Sequence, residues 1–218
     1  MVFSAEDEKS ETEKRKETLL YGLDSEVAGL IDTLSSEKDK SFIKEIFFIF
    51  ETTKNVNVKE KIINYYTQLE DEGLKEYALS IAEDPYDEKK STVNLVFKYI
   101  EKMKITDAAP FLKTILESEN VDYFDAAISA LGSVGGVEEA VFLSEFIDKD
   151  ELSLGQRQSL VKALGKLQVV ETWDKLVEFA EDEDENSYIR MYSAEAIGNM
   201  KKDESVDILI KLFESTDP

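Results

Sequence analysis

The residue types in this chain that could do chemistry are mostly carboxylates. The 218 residues include 48 acidic and 26 basic side chains, giving a formal net charge of -22, and contain no histidine and no cysteine. Imidazole acid–base catalysis, Ser-His-Asp triads, thiolate nucleophiles and metal sites built from histidine or cysteine are therefore excluded within this chain. We predict that the chain is not an enzyme and that it holds no cofactor and no metal ion.

The acidic run 181–185 is the first candidate for a cation site. Three oxygen-bearing side chains in the stretch that begins at Asp182 match the first, third and fifth positions of an EF-hand loop. The sixth position is Ser187, where the loop needs glycine, and the twelfth is Ser193, where it needs a bidentate glutamate. We therefore interpret the run as an acidic loop between helices.

The glycine-rich segment 132–136 is a candidate for an anion-binding turn because it precedes a predicted helix. No predicted strand comes before it. Glu138 and Glu139 follow at the place that a bound phosphate would occupy. We reject an anion site formed by this turn.

The elements that position these side chains follow from an internal repeat. The triplet Ala-Leu-Gly stands at 130–132 and again at 163–165, and Ala-Ile-Gly stands at 196–198, so both intervals are 33 residues. Glutamate and apolar residues keep the same period: Glu138, Glu171 and Glu204; Leu143, Leu176 and Leu209; Phe146, Phe179 and Leu212. A fixed period of this length is typical of stacked helical repeats. The sequence therefore predicts an all-α fold, an α-solenoid or superhelix of antiparallel helix pairs.

Apolar residues at helical spacing predict 13 helical segments. The paired segments are 58–69 with 74–82, 92–103 with 107–116, and three stronger units at 122–148, 153–181 and 187–215. In each strong unit we expect the first helix to end at the glycine of its triplet, since glycine readily adopts the left-handed conformation. We expect the second helix to begin with the aligned glutamate, where the helix dipole favours a carboxylate.

Two N-terminal segments are less regular. The apolar segment 42–50 predicts a helix covered on several sides, and a strand over 46–50 is the alternative. The segment 24–36 either closes a first repeat or opens one, and its resemblance to 203–212 favours a closing helix. Most of the six tyrosines on first helices are expected to pack between repeats with their hydroxyls reaching solvent, and a few are expected to be exposed on the convex side: Tyr65, Tyr66, Tyr99, Tyr123, Tyr188 and Tyr192.

The units resemble the short HEAT-like repeat of the kind first named in phycobilisome lyase subunits. That pattern has a basic residue, small and apolar positions, Ala-Leu-Gly, a short turn and an apolar second helix. It is present as Arg-Met-Tyr-Ser-Ala-Glu-Ala-Ile-Gly at 190–198 and as Arg-Gln-Ser-Leu-Val-Lys-Ala-Leu-Gly at 157–165, whereas Phe124 replaces the arginine one unit earlier.

This resemblance implies a HEAT- or armadillo-like domain organisation. It is strong over 122–215, fair over 57–117 and weak before that. We predict a flexible acidic N-terminus over 1–10 and a single HEAT-like repeat domain over 11–218, with about six repeats.

The second helices carry the candidate binding residues. The apolar stripe of each helix leaves these charged side chains exposed: Glu145, Asp174, Glu178, Asp207 and Lys211. In HEAT-like solenoids the second helices usually line the concave face, so the resemblance implies an acidic groove that could recruit a basic protein or peptide. The alternative is a solvated helix face in a very acidic protein.

Two function classes remain after these exclusions. The first is a non-enzymatic scaffold or adaptor that binds a protein or peptide partner, basic or of mixed charge. The alternative is an accessory subunit of a lyase-type or other enzyme complex. A glycosylase-like HEAT enzyme is disfavoured because an acidic surface repels DNA phosphates. We predict no nucleic-acid partner and no membrane insertion, since no stretch approaches about 18 apolar residues, and the oligomeric state is left open.

The N-terminal residues 1–6 have neither the basic region nor the apolar core of a signal peptide. Charged residues follow the first two so abruptly that removal of a leader is left open. The expected location is cytoplasmic by default, or exported if a leader was removed.

Overall fold

The computed structural model describes residues 10–118, 121–149 and 151–215, and every regular element in these ranges is a helix. The predicted flexible tip 1–10 lies outside the described residues except for Ser10. There are thirteen α-helices in the described ranges, as predicted: α1 Glu11–Tyr21, α2 Asp24–Glu37, α3 Ile43–Thr52, α4 Val56–Leu69, α5 Lys75–Glu83, α6 Lys90–Met103, α7 Ala109–Glu117, α8 Phe124–Val134, α9 Val137–Phe146, α10 Leu154–Leu167, α11 Trp173–Glu181, α12 Ser187–Met200 and α13 Asp203–Ser215.

The chain divides into two compact units. One consists of the described part of Met1–Ala78 together with Tyr86–Met103, and the other of Leu79–Pro85 and Lys104–Pro218. In the first unit α2 packs on α4 and α4 on α6, and in the second α8 packs on α10 and α10 on α12. Each row consists of first helices of successive pairs, so the predicted all-α solenoid of helix pairs is confirmed. The predicted extent of a single domain over 11–218 stays a prediction.

The row of first helices also settles the role of α2. Its packing on α4 places it among the first helices, so the interpretation as a closing helix is wrong. The ends of the helices support the assignment of α2 as a first helix. Helices α2, α4 and α6 are each followed by a residue in the left-handed conformation: Lys38, Glu70 and Lys104. The apolar positions that α2 shares with 203–212 mark a buried helix face, and both kinds of helix have one.

The triplet glycines do not end their helices. Helix α10 continues past Gly165 to Leu167, α12 continues past Gly198 to Met200, and no glycine in the described ranges has a positive φ. The left-handed residue that follows each of these two helices is instead Gln168 or Lys201, both with φ 53°. The prediction of a glycine stop at the triplet is therefore wrong.

The triplet glycines have a packing role, as their small size suggests. A Cβ built on Gly132 would lie 2.7 Å from the Cβ of Ala163, and one on Gly165 would lie 3.0 Å from the Cβ of Ala196. The contact at Gly132 leaves no room for a side chain, and a side chain at Gly165 would require α12 to shift by a few tenths of an ångström. Glycine is needed here because α8 approaches α10, and α10 approaches α12, almost backbone to backbone.

The apolar segment 42–50 forms helix α3, so the strand alternative is wrong. Ile46 and Phe50 are buried, but the Phe48 side chain is 58% exposed. Helix α3 packs on α1 and α4. The prediction that neighbouring helices cover this segment on several sides is therefore wrong for one side of α3, which is exposed to solvent.

Three of the tyrosines bury their hydroxyl groups as well as their rings. The hydroxyl of Tyr65 donates a hydrogen bond to the carbonyl of Asp39 (2.7 Å), and that of Tyr99 donates to the carbonyl of Asp71 (2.8 Å). Tyr66 donates in the same way to a carbonyl of α3. Burial raises the pKa of Tyr65 and of Tyr99 to about 12. Packing between repeats is confirmed for these residues, whereas a solvent-facing hydroxyl is wrong for them.

The close approach at the triplet predicts opposite effects for one substitution at two equivalent positions. Gly132→Ala should destabilise the protein by about 1–3 kcal/mol, because the new methyl group collides with the backbone of α10. Gly198→Ala is the matched control, since its Cβ would meet only a terminal methyl of Leu209 at 3.5 Å. That variant should be neutral or stabilised by up to about 1 kcal/mol, because alanine favours helix. Urea unfolding followed by circular dichroism measures both, and equal effects would contradict the packing role.

Candidate functional site

The five predicted binding residues all lie on second helices of the second unit, and all are exposed. Glu145 is on α9, Asp174 and Glu178 are on α11, and Asp207 and Lys211 are on α13. Two repeat positions account for them, since Glu145, Glu178 and Lys211 are 33 residues apart, as are Asp174 and Asp207. Residues four apart share one face of a helix, so each of α11 and α13 presents its pair together. That this face binds a partner stays a prediction.

Ion pairs between successive second helices border this face. The Nζ of Lys175 on α11 lies 2.9 Å from Oδ1 of Asp148, which follows α9. The Nζ of Lys211 on α13 lies 2.7 Å from Oε1 of Glu181 at the end of α11. Asp148 and Glu181 occupy equivalent repeat positions. In two successive repeats, therefore, the carboxylate at this position pairs with a lysine of the next repeat.

Lys175 is held more firmly than an exposed lysine. Its ammonium also lies 3.4 Å from Glu178 and 4.7 Å from the ring centroid of Phe179. Burial alone would lower the pKa of Lys175, but the hydrogen bond to Asp148 and the nearby carboxylates outweigh it and raise that pKa. Glu178 and Lys211 therefore already have intramolecular partners, whereas Asp174, Asp207 and Glu145 extend the exposed charge beyond these pairs.

The aligned glutamates at the start of the second helices are exposed first-turn residues. At the first of these starts, the neighbouring Glu139 accepts a hydrogen bond from the amide of Gly136 at 2.7 Å. A carboxylate thus occupies the donor that an anion-binding turn would need. The Gly136 amide is therefore engaged by a side chain of its own helix.

The arginine of the repeat pattern has a partner that sequence reasoning missed. Arg157 on α10 makes two hydrogen bonds to Glu185, at 3.1 and 2.5 Å. The side chain of Glu185 is only 10% exposed. Burial alone would raise the pKa of Glu185, but the hydrogen bonds from Arg157 and from the amide of Asn186 outweigh it and hold that pKa below its usual range. The sequence signal that could have predicted this ion pair is an arginine followed, almost one repeat later, by the acidic run 181–185.

The acidic loop has a structural explanation. In the described ranges, no group of three or more histidine, cysteine, aspartate or glutamate side chains is arranged to hold a metal ion. The carboxylate of Asp182 accepts a hydrogen bond from the amide of Asp184 at 3.0 Å, which closes a local turn.

No described helix is both long enough and apolar enough to cross a membrane.

Comparison with known proteins identifies a family. A family model described as "Spirochaete HEAT repeat protein" matches residues 19–218. No curated protein matches the chain. The predicted HEAT resemblance is thus confirmed, and it extends through the N-terminal helices, where the sequence pattern alone was weak.

The Arg157–Glu185 pair predicts a pH-dependent contribution to stability. Glu185 has a lower pKa in the folded protein than its unfolded value of about 4.3. The pair therefore stabilises fully above that unfolded pKa, and its contribution is lost as the pH falls through the folded pKa. Arg157→Met should lower the free energy of unfolding at neutral pH by about 2 kcal/mol, because it leaves a largely buried carboxylate unpaired.

The control for this prediction is the equivalent arginine one repeat later. Arg190 donates to the backbone carbonyl of Ala180, a group that does not titrate. Urea unfolding across acidic and neutral pH should show a deficit that shrinks toward low pH for Arg157→Met and stays constant for Arg190→Met. A constant deficit for both variants would contradict the ionic role.

Proposed function

The chain belongs to the family of Spirochaete HEAT repeat proteins, and from this premise we propose that it is a non-enzymatic scaffold or adaptor that binds a basic protein or peptide along its second helices. HEAT folds of this all-α kind are typically non-catalytic scaffolds. Repeat proteins bind through surfaces to which successive repeats contribute equivalent side chains. The proposed surface consists of Glu145, Asp174, Glu178, Asp207 and Lys211, which we call the second-helix face.

The observation that carries the proposal is the regular placement of exposed carboxylates on this face. Asp174 and Asp207 occupy one repeat position on successive helices, and Glu145 and Glu178 occupy another. Packed neighbouring helices lie about 8–10 Å apart. A chain in the polyproline-II conformation advances about 3.1 Å per residue and has three residues per turn, so every third side chain lies on the same side and three residues span this distance. A peptide with a basic residue at every third position therefore matches the acidic positions of the second-helix face.

The two lysine bridges support the proposal in a different way. Lys175 and Lys211 bridge from α11 to the residues after α9 and from α13 to the end of α11, across second helices whose separation is set by the packing of the repeats. Binding to a prearranged surface costs less ordering than binding to a mobile one. Because Lys211 takes the position of Glu178 one repeat later, the face is not uniformly acidic. A partner whose basic groups stop short of Lys211 is preferred over one that is basic throughout.

The first test is a pull-down from source lysate at low and high ionic strength. The wild-type protein should retain a specific partner at low salt and lose it at high salt, because exposed charge contacts are screened. The variant Asp174→Asn/Asp207→Asn should retain less of that partner. The control Glu183→Gln/Asp184→Asn makes the same change in net charge in the acidic loop and should retain as much as wild type. Failure of the wild-type protein to hold any specific partner at low salt would count against the proposal.

The second test uses peptides of defined spacing. Two synthetic peptides of equal length and charge carry lysine at every third or at every second position, with polar neutral residues between. The peptide with lysine at every third position should bind several-fold more tightly in fluorescence anisotropy, because each ion pair at an exposed site contributes up to about 1 kcal/mol. Equal affinity of the two peptides would show that only total charge matters and would contradict the proposed match between lysine spacing and repeat spacing.

A further inference from the structure

A hollow of about 770 Å³ in the second unit contains a cluster of cationic side chains that the second-helix face does not include. Lys162 and Lys166 on α10 line it together with Lys104, and the one carboxylate that lines it is Glu195 on α12. The hollow thus has an excess of positive charge in a protein whose net charge is -22. We call it the lysine hollow.

The three lysines have neutral partners. Lys104 donates to the carbonyl of Ser133 at 3.1 Å, Lys166 lies 3.4 Å from the hydroxyl of Ser129, and Lys162 lies 4.1 Å from the ring centroid of Tyr192. Within the described ranges, none of the three ammonium groups is within 4.0 Å of a carboxylate oxygen. Carboxylates outnumber basic groups almost two to one in this chain, 48 against 26, so three neighbouring lysines that form no ion pair in the described ranges are contrary to the composition.

The close helix packing forms the floor of the lysine hollow. Gly132, Gly165 and Ala196 line it, and a Cβ on either glycine would lie within 3.0 Å of an alanine Cβ on the next first helix. Small residues leave a low surface of backbone and methyl groups. A chain of peptide can lie on such a surface, whereas larger side chains there would fill the hollow.

The polar groups around this floor distinguish a peptide from a simple anion. The hollow includes Ser133 and Gln168, which stand at or just beyond the C-terminal ends of α8 and α10. The Ser133 carbonyl already accepts a hydrogen bond from Lys104, whereas the side-chain amides of Gln168 and Asn199 each carry donors and an acceptor. A peptide backbone offers both N–H donors and carbonyl acceptors to such amides, and its side chains offer carboxylates to the lysines, whereas phosphate offers mainly acceptors.

From these features we propose that the lysine hollow binds an acidic peptide segment of a partner protein. Carboxylates of the peptide pair with Lys104, Lys162 and Lys166, and the amide side chains of Gln168 and Asn199 are in reach of its backbone. Lysine suits this task because its ammonium is a compact charge on a flexible stem that can follow a peptide carboxylate. The proposal is independent of the second-helix face, whose partner has the opposite charge.

The test measures binding of a fluorescein-labelled oligo-aspartate peptide to the full chain by anisotropy at low ionic strength, with oligo-asparagine of equal length as the reference peptide. Wild type should bind the oligo-aspartate peptide and not the reference. Lys162→Gln/Lys166→Gln should weaken binding about fivefold or more, since each exposed ion pair contributes a few-fold. Glu195→Gln should strengthen binding about two- to threefold, because it removes the carboxylate that repels the peptide.

Three controls make the result decisive. Lys54→Gln/Lys98→Gln removes two exposed lysines outside the hollow and should leave binding close to wild type. An equal loss in this variant, or no binding by wild type, would overturn the proposal. Binding of inorganic phosphate without binding of the peptide would overturn the peptide assignment. If the lysines only stabilise the ends of the helices, Lys162→Gln/Lys166→Gln would lower the thermal unfolding midpoint without changing peptide binding. That result would also overturn the proposal.

Discussion

The near-contact of first helices at their small residues is the constraint on which the second unit depends. With no side chain at Gly132 and Gly165, α8, α10 and α12 approach so closely that an added methyl group would collide at Gly132 and would force a small shift at Gly165. This distance brings Arg157 within reach of Glu185 and sets the second helices at a spacing that Lys175 and Lys211 can bridge. Packing between repeats therefore comes first, and the charged contacts follow from the separation that it imposes.

The same constraint explains what happens on α13, against which no further helix of the described chain is stacked. Val206 and Phe213 occupy the repeat positions of Trp173 and Ala180. Trp173 and Ala180 are buried on a helix that packs against α12, whereas Val206 and Phe213 are 60% and 83% exposed. Gly198 likewise has room for a side chain, although its two equivalents do not. Apolar residues on α13 thus stand exposed at repeat positions that are buried on α11.

Periodicity in the sequence was sufficient to predict the helices and their pairing, because an apolar stripe and a fixed repeat are visible in the order of residue types alone. The exposure of the five candidate residues follows from the same stripe. The ends of the helices were not predictable in this way. A left-handed residue is most favourable as glycine, yet lysine, glutamate and glutamine take that conformation at Lys38, Glu70, Lys104, Gln168 and Lys201. Glycine is instead used inside the helices, where the distance to the next helix demands it, and that distance is not visible in the sequence.

The candidate site was predicted less completely than the fold for a related reason. A helical projection identifies which carboxylates are exposed, but it gives no distance from Lys175 to Asp148 or from Arg157 to Glu185. Such pairs join residues almost one repeat apart, and only the separation of the helices decides which oxygens each cation reaches. In a chain with a large excess of acid, the few cations are therefore more informative than the many carboxylates. Most of those in the second unit either cross-link repeats or rest on aromatic rings. Lys104 and Lys166 reach a neighbouring repeat only through hydrogen bonds to neutral groups, and together with Lys162 they line a hollow whose floor exists because glycine lets the helices approach.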